Sequence, residues 1–230
     1  MNIADLHRWD VRPADAIRIQ NDLRARVAET PFRGPLQTVA GVDVGVHDDM
    51  ARAAVVVLRY PELTLLESVI VDMPASFPYV PGLLAFREAP AVLSAFEKLA
   101  REPDLIIVDG QGLAHPRRFG IACHLGVVLD RPTIGCAKSR LVGTHHEPGA
   151  AVGSWVELRD TDEVIGAVLR SREGASPLYI SIGHKVDLET AVRSVLACCR
   201  GYRLPETTRQ AHLAASQRTG APAVVQRSLF

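Results

Sequence analysis

Apolar positions recur along this chain with two periods, and the switches between them lay out a fold. Over residues 13–29 the apolar residues Ala16, Ile19, Leu23 and Val27 fall at helical spacing, with Pro13 near the start. Pro31, Gly34 and Pro35 then break the chain. Three strands are predicted next: Val39 to Val46, the β-branched run Ala53 to Tyr60, and Leu63 to Val71. The joining segments, 47–50 and 61–62, are too short for a parallel crossover, which needs about a dozen residues, so these strands form an antiparallel meander. A proline-rich stretch from 74 to 82 follows. The pattern then predicts a helix over 83–100, which Pro90 should kink or restart. Asp104 to Val108 reads as a buried strand, Arg117 to Leu129 as a helix and Pro132 to Ala137 as a strand. That alternation calls for parallel pairing. Further strands are predicted at Val164 to Leu169 and Leu178 to Ile182. Asp187 to Cys199 is the clearest helix, and Pro205 opens a last one through Ala215. No repeat or linker divides the chain, so residues 1–230 are expected to form one α/β domain, with a loose tail over 217–230.

Composition sharpens this picture by exclusion. The 230 residues are 47% hydrophobic, enough for a sizeable core. Lysine plus arginine (26) balance aspartate plus glutamate (26), so any nucleic-acid contact must rest on local patches. The N-terminus, with Asp5, His7, Arg8 and Asp10, has no signal-peptide character. The longest aliphatic run, Ala53 to Leu58, falls far short of the roughly 18 residues that span a bilayer. A soluble, cytoplasmic protein with no membrane partner is expected. Cys123, Cys136, Cys198 and Cys199 make no disulfide framework. Neither Cys123-His124 nor His145-His146 has a second pair at zinc spacing.

Two aspartates stand out against this background. Asp43 lies inside the apolar run Val39 to Val46, and Asp109 ends the apolar run Leu105 to Val108. A buried charge costs several kcal/mol unless it is paired or binds a metal. Taken singly, each strand-end aspartate is as readily a turn cap. If the first and fourth strands are neighbours, however, the two carboxylates sit side by side, with Glu88 on the intervening helix. A magnesium ion, which takes a few carboxylates plus water, would relieve their repulsion. Two such ions about 3.5–4 Å apart would clamp a phosphodiester. A weaker parallel is that Gly41-Val-Asp-Val-Gly45 resembles the first phosphate loop of sugar kinases. Those folds need a duplicated domain for which this chain is too short.

Longer segments then resemble a single family. Pro78-Tyr-Val-Pro-Gly-Leu-Leu-Ala-Phe-Arg-Glu88 is similar to the wedge and helix of the endonuclease V family. Asp104-Leu-Ile-Ile-Val-Asp-Gly-Gln-Gly-Leu-Ala-His-Pro-Arg-Arg-Phe-Gly-Ile-Ala122 is similar to its central block. Pro132 to Gly143 and Gly201 to Arg209 continue the likeness, which runs from about residue 36 to 216. The resemblance implies a ribonuclease H-like mixed sheet, three antiparallel strands followed by parallel strands, flanked by helices. It also implies cleavage at the second phosphodiester bond 3′ to deoxyinosine, leaving 3′-hydroxyl and 5′-phosphate ends. Asp43, Glu88 and Asp109 fall on the family's metal-binding carboxylates, with Mg2+ or Mn2+ as the expected ion. His212 falls on a fourth active-site position that carries His or Asp.

Other residues take expected roles on that basis. Tyr79, stiffened by Pro78 and Pro81, would wedge into a duplex and fill the gap left by a flipped base, with Pro78, Val80 and Pro81 contacting the DNA beside it. Gly82, Leu84, Gly110 and Gly120 would line the base pocket. Lys138 would touch a phosphate or orient water. Arg117, Arg118 and Arg140 would contact phosphates. His115 would order the loop after Asp109. The expected partner is deoxyinosine-containing DNA, acted on by a monomer. An inosine-specific endoribonuclease and a non-catalytic nucleic-acid binder are the alternatives, and the intact carboxylates argue against the latter.

Overall fold

The computed structural model describes residues 1–216 and the backbone of 225–227. The expected loose tail falls on residues outside that description, apart from Val225–Arg227, which form a strand. Helix α1 (Pro13–Arg24) precedes a meander of β1 (Thr38–His47), β2 (Met50–Arg59) and β3 (Leu65–Pro74). Asp48 and Asp49, both at positive φ (49° and 56°), form the tight β1–β2 turn whose backbone twist matches that of the flanking strands. Helix α2 (Leu84–Lys98) follows, then β4 (Leu105–Val108), α3 (Ile121–Leu129) and β5 (Thr133–Ala137). The chain continues as β6 (Trp155–Asp160), β7 (Glu163–Leu169), β8 (Leu178–His184), α4 (Leu188–Ala197), α5 (Glu206–Ser216) and β9 (Val225–Arg227).

Among the described residues, nine strands join one mixed sheet in the order β6-β7-β8-β5-β4-β1-β2-β3-β9. The meander is antiparallel, and β4 and β5 run parallel to β1, as the connection lengths require. Side chains alternate between the two faces. Val39, Val56, Leu58 and Ile107 face α4 and α5, whereas Ala40, Val42, Val55 and Ile106 face α2.

Several boundaries differ from expectation. Helix α1 ends at Arg24 rather than near 29. Helix α3 begins at Ile121 rather than Arg117, because 115–118 form a turn in which the Arg118 amide donates to the His115 carbonyl. Pro90 lies inside α2 without dividing it. Strand β6 went unforeseen: its short, charged run Trp-Val-Glu-Leu-Arg-Asp lies at the sheet edge, mostly exposed.

Candidate active site

Parallel pairing of β1 with β4 aligns Val42 with Val108. The next residue on each strand is an aspartate, so Asp43 and Asp109 stand side by side, and the Asp109 amide donates to the Val42 carbonyl (3.0 Å). Strand β5 lies beyond β4, with Gly135 opposite Val108, and Lys138 follows its last residue. Two helices complete the cluster from opposite faces: α2 brings Glu88 and α5 brings His212. Helix α5 comes this close because residue 41 is glycine, since a Cβ there would overlap the Thr207 carbonyl.

Each aspartate has a basic neighbour that the sequence did not reveal. Lys138 Nζ lies 2.5 Å from Asp109 Oδ2. His212 Nδ1 donates to Asp43 Oδ2 at 2.9 Å. Loops and helices distant in sequence therefore supply both aspartates with basic partners. The cluster still carries surplus negative charge. Burial, then the charges of Asp43 and Asp109, push the half-buried Glu88 carboxyl up to about 7. Burial also raises Asp109, against the pull of Lys138.

This chemistry fits a hard divalent cation. The donors are carboxylate oxygens, and the raised Glu88 and Asp109 carboxyls mark a site where a cation would favour the ionised forms. Among the described residues, no three His, Cys, Asp or Glu groups already converge tightly enough to enclose a metal. Lys138 and His212 instead supply the positive or hydrogen-bonding partners on the two aspartates.

The cluster floors a cleft of about 440 Å³. Gly82, Leu84, Gly110 and Gly120 line it, as do Tyr79, Pro81 and the unanticipated Gln111 and Ile121. Tyr79 stands on the rim with 71% of its surface exposed. Pro78 is exposed beside it, while Val80 packs back on Phe77, Leu83 and Phe86.

The three arginines part company. Arg140 is exposed and lines the cleft. Arg118 is buried, and its guanidinium is committed to Asp160 (2.8 Å), Glu163 (2.7 Å) and the His115 carbonyl (2.9 Å). That pairing stands against the expected phosphate contact. Arg117 also turns inward, to Gln20 Oε1 (2.5 Å) and the Gly82 carbonyl (2.6 Å). His115 does order its loop: Nδ1 accepts from the Arg117 amide and Nε2 donates to the Gly82 carbonyl, with burial lowering its pKa to about 4. Arg203, unnoticed in the sequence, donates to the Lys138 carbonyl (2.5 Å) and so backs the lysine from behind.

Acidic groups at adjacent ends of parallel strands, beneath an aromatic rim, place the chain among ribonuclease H-like nucleases. Comparison with known proteins narrows the class. The Endonuclease V family profile matches residues 21–213. Endonuclease V of Roseiflexus sp. (strain RS-1) is 56% identical over 208 residues, covering 90% of this chain and 94% of that protein. The crystal structure of Endonuclease V from Streptomyces avermitilis superposes with a TM-score of 0.86 at 43% identity, covering 93% of this chain and 95% of that one. Ciona intestinalis Endonuclease V, solved with a 24mer DNA containing an inosine followed by a ribo-adenosine, superposes with a TM-score of 0.78 at 29% identity, covering 88% and 95%. The chain belongs to the Endonuclease V family.

Proposed function

We propose that this protein is a metal-dependent endonuclease that cuts DNA at the second phosphodiester bond 3′ to deoxyinosine. It would leave 3′-hydroxyl and 5′-phosphate ends, in repair of deaminated adenine. The observation that carries the reading is the alignment of Asp43 and Asp109 on adjacent strands, at the floor of a cleft rimmed by an exposed Tyr79. Binding of inosine-containing DNA by the Ciona relative supports it.

Asp43 and Asp109, with Glu88, would hold Mg2+ or Mn2+. When bound, the ion would activate water and offset charge developing on the phosphate. His212 fixes the Asp43 carboxylate through its Nδ1 hydrogen bond. Lys138 holds positive charge at the mouth of the cluster, where a phosphate oxygen would compete with Asp109 for it. Arg140 would contact a flanking phosphate. Tyr79 would enter the stack as the damaged nucleotide leaves it, offsetting an unstacking cost of a few kcal/mol. The glycine-rich pocket would accept hypoxanthine and exclude guanine, whose extra amino group would be crowded or unpaired.

The test is cleavage of matched inosine and adenosine substrates, as DNA and as RNA, with magnesium, manganese or EDTA. Inosine DNA should be cut only with metal. Asp43→Ala and Asp109→Ala should each lose at least about a hundredfold in rate while remaining folded. Undiminished activity in EDTA or in either variant would remove the reading. Faster cutting of inosine RNA would change the substrate but leave the site where it is.

A further inference from the structure

We propose that Gln20, on α1, is a positioning residue that holds the Tyr79 loop in its projecting conformation. The residue lies just outside the span that matches the family, and its position in sequence gives no hint of such a role. It is 1% exposed, yet every polar atom of its side chain is used. Nε2 donates to the Gly82 carbonyl (3.1 Å) and the Phe119 carbonyl (3.1 Å), and Oε1 accepts from Arg117 Nε (2.5 Å).

The Gly82 carbonyl is the focus of this network. It also accepts from Arg117 Nη2 (2.6 Å) and His115 Nε2 (2.9 Å), so three side chains converge on one oxygen. Gly82 closes the tyrosine loop at a φ of +78°, which glycine adopts without strain, and the three bonds to its carbonyl restrict its freedom to leave that conformation. The loop's other end is fixed separately, by Arg87 donating to the Phe77 carbonyl (2.5 Å) and pairing with Asp49 (2.9 Å). Between these anchors Tyr79 projects into solvent. A side chain that must part stacked bases cannot yield when pushed, and a loop pinned at both ends resists better than a free one. Gln20 joins α1, the Phe119 segment and the loop, and it fixes Arg117 for its own bond to Gly82.

The inference rests on the wedge reading of Tyr79, and the experiment separates the two. For wild type, Gln20→Met, Tyr79→Ala and the double variant, kcat/KM is measured on inosine in duplex and in single-stranded DNA. Gln20→Met should lower the duplex-to-single-strand ratio about fivefold, the equivalent of one hydrogen bond. In the Tyr79→Ala background the same change should leave the ratio where Tyr79→Ala alone put it, because both act through one element. General destabilisation would lower both substrates together and leave the ratio untouched. Should Gln20→Met fail to fold, Gln20→Glu serves instead, keeping the Arg117 partner while withdrawing both amide donors. Additive effects, or a ratio lowered by Tyr79→Ala but not by the Gln20 change, would overturn the proposal alone. A ratio indifferent to Tyr79→Ala would overturn the wedge reading with it.

Discussion

Glu88 shows how a cluster changes a single residue. Burial on α2, and then the charges of Asp43 and Asp109, hold its carboxyl at a pKa of about 7. A carboxyl raised on folding keeps its proton at pH values where the unfolded chain has released it. Its contribution to stability is therefore full below the unfolded value, about 4.5, and is lost as pH rises through about 7, some 3 kcal/mol in all. In EDTA, wild type should lose more stability than Glu88→Gln between about pH 5 and pH 8, measured by urea unfolding. Parallel pH profiles for the two proteins would show that Glu88 is ionised throughout. A divalent cation should favour the ionised form, so adding magnesium should stabilise wild type more at the higher pH.

At the scale of elements, the site depends on how closely α5 approaches β1. Gly41 and Asp43 are two residues apart on one strand and so share a face, the face that α5 covers. A methyl group at 41 meets the Thr207 backbone, which cannot swing aside as a flexible side chain would. Gly41→Ala should cost about 1–3 kcal/mol and carry His212 away from Asp43. Thermal melts and cleavage assays should both register the change. Retention of full stability would mean that α5 slides along the sheet without penalty. The tyrosine loop is a separable element. Tyr79→Ala should impair cutting in duplexes more than in single strands, because only a duplex has a stack to open. An equal loss on both substrates would place the ring in the base pocket.

For the whole molecule, charge balance limits how a nucleic acid would be held. With 26 cationic and 26 anionic side chains, attraction to a polyanion comes from local groups. Arg140 is exposed at the cleft, so Arg140→Ala should weaken binding to inosine and normal DNA alike and flatten the salt dependence by about one unit of slope. Arg118 is committed to Asp160 and Glu163, tying the turn after β4 to the β6–β7 hairpin. Arg118→Ala should therefore lower stability and leave the salt slope unchanged. Titrations at several salt concentrations distinguish the two, and a flattened slope for Arg118→Ala would show that its ion pairs open on DNA. Among the described residues, no helix is long and apolar enough to cross a membrane.

Hydrophobic period and connection length were local information, and they sufficed for much of the fold. They determined the β1–β3 meander, the alternation of β4, α3 and β5, and the oddity of Asp43 and Asp109 in apolar runs, because a buried strand cannot carry a lone charge without cause. The longest aliphatic run, Ala53 to Leu58, was likewise too short for a bilayer-crossing helix. What each side chain touches depended on contacts between segments far apart in sequence. Arg117, Arg118 and Arg140 looked alike as surface cations, and only packing committed two of them to internal partners. Lys138 and His212 reached the aspartates, and Gln20 reached the tyrosine loop from 62 residues away, through the sheet order and the layering of helices. Strand β6 was left to tertiary structure as well, since an exposed edge buries too little apolar surface to mark its sequence.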